Sequence, residues 1–352
     1  MKKLVTLLLV TALVLSLFAG CSKKEEAATT DTAATETKTD TAKSYKYAII
    51  VKNTGNPYNE KEMEGFEKAV KELGGEVIKK APDQPTAEAQ IQMIEELIIQ
   101  KVDVIAIAGN DPDALQPALK KAMDAGIKVL SLDSAVNKDS RMVHVNQADP
   151  ERIGRVQIQA ISAMIGGEGQ IAILSATSQA TNQNTWIEWM KKELEKDEYS
   201  KIELVKVAYG DDLRDKSVSE AEALLKTYPD LKGIIAPTTV GIAAAGKVLT
   251  DKGLLGKVHL TGLGLPSEMA EYIESGICEG MYLWNPIDVG YLAAYAANAL
   301  ITGTITGEAG GKFDAGELGP KEVIATDSGT EIMLGDPYQF NKENITEWKT
   351  VY

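Results

Sequence analysis

The segment VDVIAIAGNDPDALQPALKKAMDAGIKVLSLDS, residues 102–134, carries the pattern on which the predicted architecture rests. Two short apolar runs, VDVIAIA (102–108) and IKVLSLD (127–133), lie on either side of an amphipathic segment near 112–125 that has the length of a helix. Runs that are apolar on both faces are typical of strands buried in a parallel sheet, and a helix between two of them makes the crossover. The segment therefore predicts a strand–helix–strand unit.

The same alternation extends in both directions from this unit. Strand-like runs of the same kind are KYAIIV (46–51), EVIKKA (76–81), QIAILSA (170–176), IELVKVAY (202–209), KGIIAPT (232–238) and VHLTGLG (258–264). Amphipathic segments near 59–74 and 86–100 separate the early runs, and prolines at positions 112, 266 and 286 mark helix starts. Because the pattern restarts after MVHVNQ (142–147), the sequence predicts an α/β fold with two similar lobes and parallel sheets.

The composition excludes several classes of protein. Of the 352 residues, 44% are hydrophobic and 25% are charged, which is typical of a globular chain, and the length suits two domains. The 37 lysines and arginines against 51 aspartates and glutamates give a net charge of −14. A phosphate backbone attracts the opposite charge, so no nucleic-acid partner is expected.

The first 44 residues predict export and attachment to a membrane. Two lysines, an apolar run over 4–19 and small residues before Cys21 have the form of a secretory signal over residues 1–21. The ending LFAGC resembles a bacterial lipobox, which implies acylation of Cys21, and an uncleaved N-terminal anchor is the alternative. Residues 22–44 contain only Ser, Thr, Ala, Lys, Asp and Glu, so we expect a disordered tether. Either form places the protein outside the cytoplasm, and Cys278 is left without a disulfide partner.

Catalytic and metal-binding signatures are not found in the sequence. His144 and His259 both lie inside apolar strand runs, where they read as core or edge residues rather than bases. The sequence GLGLPS (262–267) lacks the third glycine of a dinucleotide fingerprint, and Cys278 has no His or Cys at ligand spacing. We therefore expect no enzyme, no cofactor and no metal. A secreted α/β enzyme remains the remote alternative.

Polar side chains follow the predicted strands, at the edge where open α/β sheets bind ligands. These segments are residues 52–58, 109–111, 133–134, 146–147, 175–183, 237–239 and 284–286. They offer amides and hydroxyls around Lys52 and Asp133, so that a hydroxyl of a ligand can donate to Asp133 and accept from Lys52. This set of groups predicts a small polyhydroxylated ligand. A few charge-assisted bonds, worth about 1.5–3 kcal/mol each, are enough for micromolar or tighter binding.

Each of these candidates also has a plainer interpretation. Lys52 and Asp133 are compatible with solvent-exposed strand ends, and the aromatic side chains of Tyr58, Trp186 and Trp284 are compatible with plain core packing as well as with covering a sugar. Asp111 and Asp113 are better explained as helix caps. The further polar candidates for the site are Asn110 and Asn285.

The body of the chain, from about residue 47 to the C-terminus, resembles the type I periplasmic sugar-binding proteins of ABC importers. Within them it is similar to the branch that contains rhamnose-binding proteins and the autoinducer-2 receptor. The motifs that carry the resemblance are IVKNTGNPY (50–58), NDPDALQPALKKAMDAGIKVLSLDS (110–134), LSATSQATNQNTWIEWM (174–190), YPDLKGIIAPTTVGIAAA (228–245), TGLGLPSEM (261–269), LWNPIDVGY (283–291) and FNKENI (340–345).

The resemblance implies a ligand site as well as a fold. Matched to autoinducer-2 receptors, the ligand-holding positions are Lys52, Asp133, Asn182, Gln183, Pro237 and Thr239. Asn182 stands where the family has an acidic residue, and Thr239 stands where it has alanine. The retained Lys, Asp, Gln and Pro favour autoinducer-2, whereas TGLGLPSEM and WNPIDVGY look more like the rhamnose-binding side. L-rhamnose or another monosaccharide is therefore the alternative ligand.

The resemblance also implies the domain organisation and the partners. Lobe 1 is expected to contain residues 45–146 and 285–318, and lobe 2 residues 147–284 and 319–352. Three crossings near Asn146, Asn285 and 316–322 would form a three-stranded hinge, and the lobes would close over a small polyol to present it to an ABC permease. The protein is expected to be a monomer, and a membrane-bound sensor in place of the permease is the other partner that fits.

Overall fold

Strands and helices alternate along residues 44–352, the part of the chain that the computed structural model describes. The predicted signal, the lipidation candidate Cys21 and all but the last residue of the predicted tether lie outside these residues. The first elements are β1 (Lys46–Ile50), α1 (Pro57–Glu72), β2 (Glu76–Lys80), α2 (Ala87–Gln100), β3 (Val104–Ile107), α3 (Pro112–Asp124), β4 (Lys128–Leu132) and β5 (His144–Asn146). The strand–helix–strand unit predicted from 102–134 is confirmed as β3, α3 and β4.

The pattern restarts after β5, as predicted. The next elements are α4 (Pro150–Ile165), β6 (Gly169–Ser175), α5 (Thr181–Leu194), β7 (Ile202–Tyr209), α6 (Arg214–Thr227), β8 (Leu231–Ala236), α7 (Thr239–Asp251), β9 (His259–Gly262), α8 (Pro266–Ser275) and β10 (Gly280–Leu283). The chain then forms α9 (Pro286–Thr302), β11 (Lys312–Asp314), β12 (Pro320–Glu322), β13 (Ile324–Thr326), β14 (Gly329–Met333), β15 (Tyr338–Asn341) and α10 (Ile345–Trp348). Prolines occupy the first turn of α3, α8 and α9, where no backbone N–H is needed.

The first lobe is built around a seven-stranded sheet in the order β13-β14-β5-β4-β3-β1-β2. All of its neighbouring strands are parallel except the edge pair β13 and β14. Alternate residues of each central strand belong to two separate cores: Ile49 packs in the core that includes Phe66 of α1, and Ile50 packs in the core that includes Ile94 of α2. The sheet is therefore covered on both faces, which explains its continuous apolar strands.

The second lobe has a four-stranded parallel sheet in the order β7-β6-β8-β9. A single bridge between Leu263 and Tyr282 places β10 beside β9, and β15 pairs antiparallel with β10. Helices α4 and α5 pack against each other, as do α6 and α7. The carboxyl ends of both sheets face the same inter-lobe region, because side chains that follow β1, β4, β7, β8, β9 and β10 line one cavity.

The C-terminal segment departs from the expected division at 319–352. Strand β14 pairs parallel with β5, and β13 pairs with β14, so residues 324–333 extend the first sheet instead of belonging to the second lobe. The third crossing therefore lies at 334–337, between β14 and β15, and not near 316–322. Residues 312–314 and 320–322 form a small hairpin of β11 and β12. The side chains of β13 are exposed, so this strand has no buried apolar run by which its sheet could be predicted.

Two glycines allow α1 and α9 to pack unusually close together. A Cβ atom added to Gly65 would lie 1.8 Å from the carbonyl oxygen of Ile287, and one added to Gly290 would lie 1.9 Å from the carbonyl oxygen of Glu62. Backbone is therefore in direct contact with backbone at this crossing. Because α1 begins just after the loop that follows β1, this contact fixes the position of the residues at the ligand end of the lobe.

Among residues 44–352, no helix is both long enough and apolar enough to cross a bilayer.

Candidate functional site

A small cavity lies between the carboxyl ends of the two sheets. Its lining residues are contributed by both lobes and by the segment between β10 and α9. They are Lys52, Asn56, Tyr58, Asn59, Asp133, Gln183, Trp186, Asp212, Pro237, Thr238, Thr239, Leu263, Leu283 and Trp284. This location is the one expected for a ligand of an open α/β sheet.

One ammonium group and two carboxylates form the charged part of the cavity. Lys52 Nζ lies 3.5 Å from Asp133 Oδ2 and 4.0 Å from Asp212 Oδ2, and all three side chains are buried. Burial lowers the pKa of Lys52, but the charges of Asp133 and Asp212 oppose this effect, and the pKa lies above its ordinary value. Lys52 is therefore cationic, and it already faces more negative than positive charge.

Asp133 stands at the centre of a hydrogen-bond network that joins the lobes. Its Oδ1 atom accepts from Tyr58 Oη at 3.4 Å, from Gln147 Nε2 at 3.3 Å and from Asn182 Nδ2 at 3.1 Å. Burial raises the pKa of Asp133, and Lys52 opposes that shift. The backbone of Asp133 has φ of 55°, a left-handed conformation that aspartate tolerates better than most residues and that turns the chain sharply at the end of β4.

Several buried acceptors in the cavity lack a donor among the described residues. Gln183 Oε1 and Asn59 Oδ1 are fully enclosed and accept no hydrogen bond there, and Asp133 Oδ2 faces only the ammonium of Lys52, at 3.5 Å. The amide nitrogen of Asn59 is occupied by the backbone and side-chain oxygens of Asn53, at 2.9 Å each, so its own oxygen is the free group. A buried acceptor without a donor costs about 1–3 kcal/mol, which hydroxyl donors of a ligand would recover.

Aromatic and aliphatic side chains form the apolar part of the cavity. Trp284 Nε1 donates to Tyr58 Oη at 2.6 Å, and the two rings meet edge to face with centroids 6.4 Å apart. The ring of Trp186 lies 5.7 Å from that of Trp284. Leu263 and Leu283, from the ends of β9 and β10, complete this wall. Such a surface suits the C–H face of a sugar ring or an alkyl substituent.

Glu62 of α1 is a buried acid close to the charged part of the cavity. Its side chain is fully buried, and both carboxyl oxygens lack a hydrogen-bond partner among the described residues. Burial raises the pKa of Glu62 well above its ordinary value, the charge of Asp133 adds to the shift, and Lys52 opposes it. Burial and the charge of Asp133 therefore both favour the protonated form of Glu62 in the folded protein. This role could not be predicted from the sequence, because Glu62 lies in a helix rich in acids and lysines.

Direct hydrogen bonds between the lobes close the cavity. Thr239 Oγ1 donates to Asn56 Oδ1 at 3.1 Å, and Asn53 Nδ2 donates to the carbonyl oxygen of Asp212 at 3.5 Å. Outside the cavity, Thr181 Oγ1 of α5 donates to the carbonyl oxygen of Ala135 at 3.0 Å. The two lobes are therefore in direct contact around the cavity.

The residues predicted from the sequence fall into two groups. Seven of them line the cavity: Lys52, Tyr58, Asp133, Gln183, Pro237, Thr239 and Trp284. Asn182 instead lies behind Asp133, donating to it. Asn110 donates to the backbone oxygen of Lys52 at 2.8 Å, and Asn285 caps α9 by accepting from Ile287 N. These three asparagines support the lining residues but do not line the cavity.

Some lining residues were missed by the sequence reasoning. The sequence does not single out these lining residues: Asn56, Asn59, Asp212, Thr238, Leu263 and Leu283. For Trp186 it allows plain core packing as well as an aromatic cover over a sugar. Asp212 supplies the second carboxylate and accepts from Thr238 Oγ1. The pair of aspartates at 211 and 212, one residue beyond the strand IELVKVAY, is the available signal for it, since residues just after the strands line the cavity.

The histidines and the cysteine have structural surroundings. Burial, together with the charge of Arg141, lowers the pKa of His144 well below its ordinary value, and its Nδ1 atom lies 2.9 Å from Ser131 Oγ. His259 pairs with Glu279 on the surface, at 2.6 Å. Burial raises the pKa of the Cys278 thiol to about 12. None of these residues lines the cavity, and residues 44–352 contain no cluster of potential metal ligands.

Both the sequence and the fold have known relatives. A family model described as a periplasmic binding protein domain matches residues 47–305. An ABC transporter solute binding protein from Clostridium phytofermentas, solved with bound L-rhamnose, is 52% identical with a TM-score of 0.86, and the match covers 88% of this chain and 100% of that one.

Two more distant relatives are also informative. LsrB from Clostridium saccharobutylicum, in complex with AI-2 (autoinducer-2), has a TM-score of 0.81 over 86% of this chain and 99% of that one. At 24% identity it shows similarity of fold alone. The D-ribose/D-allose-binding protein of Pseudomonas aeruginosa is 25% identical over 185 residues, which are 51% of this chain and 57% of that relative. The match therefore spans little more than half the length of this curated relative.

Proposed function

Because the chain belongs to the family of periplasmic binding proteins, we propose that it captures L-rhamnose, or a closely similar neutral sugar, for an ABC importer. The sugar-binding proteins among its relatives act outside the cytoplasm and bind sugars without converting them. The likeness to the L-rhamnose-bound protein, at 52% identity over the whole of that chain, supports this ligand.

The observation that carries the proposal is the set of unsatisfied acceptors enclosed in one cavity. Gln183 Oε1 and Asn59 Oδ1 require donors, and Asp133 Oδ2, which faces Lys52 at 3.5 Å, can accept a further one; hydroxyl groups supply them. Lys52 can donate to a ring or hydroxyl oxygen. Because two carboxylates already surround this ammonium, an anionic ligand would add a further negative charge to a buried site, so the ligand is neutral.

Autoinducer-2 is the second candidate ligand. Lys52, Asp133, Gln183 and Pro237, which match the receptor positions for that molecule, all line the cavity. Asn182 does not line it, and the acidic position of those receptors has no counterpart there other than Asp212, which is contributed by a different loop. L-rhamnose is therefore the first candidate ligand and autoinducer-2 the second, whereas the sequence alone favours autoinducer-2.

We propose that capture occurs by closure of the two lobes about the crossings at Asn146, Asn285 and residues 334–337. Lys52 and Asp133 belong to the first lobe, and Gln183, Asp212 and Thr239 to the second, so that a sugar held by both sets bridges the lobes. Closure removes the sugar from water and strengthens its bonds to the buried carboxylates. The closed monomer is then the form presented to the permease.

A titration of the purified protein tests the ligand. L-rhamnose and autoinducer-2 are added separately, with D-allose and D-ribose for comparison, and binding is followed by calorimetry and by the fluorescence of Trp186 and Trp284. We expect micromolar or tighter binding of L-rhamnose and recovery of the sugar unchanged. Absence of binding by every neutral sugar tested, or conversion of a bound sugar, would refute the proposal.

We further propose that Cys21 is acylated and holds the protein at the cell membrane. The support is the LFAGC ending after an apolar run and the polar segment that follows it. Expressed in its host, the protein should separate with membranes, and Cys21→Ser should release it or leave it unprocessed. Cys278→Ser is the control and should remain with the membrane, because Cys278 is buried in the second lobe. Release of both variants, or a Cys21→Ser protein that is processed and remains with the membrane as the wild type does, would contradict the anchor.

A further inference from the structure

The cavity changes character along the edge of the second sheet. Asp212 follows β7, and Thr238 and Thr239 follow β8, so these strand ends are polar. Leu263 follows β9 and Leu283 ends β10, and both side chains are almost completely buried. The strand order β7-β6-β8-β9 therefore runs from a carboxylate to an aliphatic surface.

The aliphatic part of the cavity is one contiguous surface. The backbone bridge between Leu263 and Tyr282 sets β9 and β10 side by side, so the two leucines project from adjacent strand ends. Trp284 follows Leu283 in the chain, and Trp186 packs on Trp284 with ring centroids 5.7 Å apart. The indole N–H of Trp284 is already donated to Tyr58 at 2.6 Å. Neither leucine, nor the indole N–H of Trp284, can satisfy a hydroxyl group placed against the leucines.

We propose that Leu263 and Leu283, with Trp186, form a subsite for the methyl group of a 6-deoxy sugar, and that this subsite excludes sugars carrying a hydroxymethyl group at the same carbon. The inference rests on the proposed sugar-binding function and assigns its specificity. Strand β8 is the neighbour of β9, about 4.8 Å away, so a ring held at the end of β8 reaches the end of β9 with its exocyclic carbon.

Three sugars separate the contributions of the methyl group and the hydroxyl group. L-mannose is L-rhamnose with a hydroxyl on carbon 6, and L-lyxose has the same ring hydroxyls but no exocyclic carbon. A hydroxyl forced against an apolar wall loses its bonds to water, and an apolar pocket rejects such an analogue by about 10- to 100-fold. Loss of one buried methyl group lowers affinity by about fourfold.

The experiment measures the affinity of the purified full chain for these three sugars. We expect L-rhamnose to bind best, L-lyxose about fourfold more weakly, and L-mannose at least about tenfold more weakly. Leu283→Thr places a hydroxyl in the subsite and should reduce the ratio of the affinity for L-rhamnose to the affinity for L-mannose. Leu265→Thr is the matched control, because Leu265 is equally buried but does not line the cavity, and it should leave the ratio unchanged.

The outcomes distinguish the subsite from the function. Equal or tighter binding of L-mannose, or preferred binding of D-allose, would overturn the methyl subsite while the protein remained a sugar receptor. If Leu283→Thr and Leu265→Thr change the ratio of the two affinities equally, Leu283 has no special role in the subsite. Binding of no neutral sugar would refute both the subsite and the proposed function. The comparison among sugars uses the unaltered protein, so it holds even where a variant fails to fold.

Discussion

Asp133 shows how one side chain can serve both the protein and a ligand. Its Oδ1 atom is held by Tyr58, Gln147 and Asn182, while its Oδ2 atom faces Lys52 and the cavity. The carboxylate is therefore fixed in position before a sugar arrives. Preorganised acceptors of this kind bind more tightly, because little ordering remains to be done on binding.

Replacement of Asp133 should weaken sugar binding without unfolding the protein. We expect Asp133→Ala to raise the dissociation constant at least about 30-fold, which corresponds to about 2 kcal/mol for the charge-assisted bonds lost. The measurement is a calorimetric titration. Asp124→Ala, which removes an exposed carboxylate from the end of α3, is the control and should bind as the wild type does. An unchanged affinity for Asp133→Ala would place the site elsewhere.

Glu62 predicts a pH dependence of stability. Its pKa is raised in the folded protein above its ordinary value of 4.5, so the unfolded chain loses this proton at lower pH than the folded one. The contribution of Glu62 to stability is therefore fully present below that ordinary value and is lost as the pH rises towards the folded pKa. Glu62→Gln, which is neutral at every pH, should gain stability relative to the wild type between about pH 5 and pH 8.

Urea unfolding at about pH 5 and pH 8 measures the free energy of unfolding of each protein. The change between the two pH values is then compared between Glu62→Gln and the wild type. A difference in free energy of unfolding between Glu62→Gln and the wild type that is the same at both values would show that Glu62 does not retain its proton. Asp133 also has a raised pKa and its charge raises that of Glu62, so the difference reports Glu62 together with its interaction with Asp133.

Whether a site residue can be predicted from the sequence depends on its place in the chain. Lys52 and Asp133 were predicted because each comes directly after an apolar strand run, where a charged residue stands out. Asn59 and Glu62 belong to the first two turns of α1, and their pattern does not distinguish them from surface residues. Asn110 and Asn285 also follow strands, but their side chains bond backbone groups rather than facing the cavity.

At the level of elements, the contact between α1 and α9 is the most sensitive to a small change. We expect Gly65→Ala to lower the free energy of unfolding by about 1–3 kcal/mol, because the added methyl group would overlap the backbone of Ile287. Thermal or urea unfolding measures this. Gly335→Ala is the control, since a Cβ there meets nothing within 4 Å, and similar losses in the two variants would contradict the close packing.

The elements themselves could largely be predicted from apolar runs and helix caps. Predicted and observed strands agree within a few residues, and Asp111 caps α3 as expected, accepting from Asp113 N and Ala114 N. Strands β13 and β14 could not be assigned to their sheet, because β13 is exposed and β14 only partly buried. Their position depends on pairing with β5, a contact between segments almost 190 residues apart, for example 185 between Asn146 and Glu331.

For the whole molecule, the balance between open and closed forms should set the apparent affinity. Thr181 Oγ1 donates to Ala135 across the lobes but does not line the cavity, so Thr181→Val removes a bond of the closed form alone. A net loss of about 0.5–1.5 kcal/mol predicts a two- to twelvefold weaker affinity for sugar. Small-angle scattering of the sugar-free variant should show a more extended molecule than the wild type.

Thr185→Val is the matched control for this experiment. Thr185 lies one turn further along α5, and its hydroxyl donates to the carbonyl oxygen of Thr181 within the same helix. The substitution has the same shape and removes a bond that does not join the lobes, so affinity should be unchanged. An equal weakening by both variants would show that the effect is general and not due to closure.

The bond from Leu334 N to the carbonyl oxygen of Asn146, at 2.9 Å, joins two of the three connections between the lobes. Two peptide segments tied side by side form a ribbon, which twists and bends readily but resists stretching and sliding. Relative translation of the halves is thereby suppressed, and rotation about this ribbon is what remains. A transporter in the membrane could then detect a bound sugar from the angle between the two lobes alone, whichever sugar was bound.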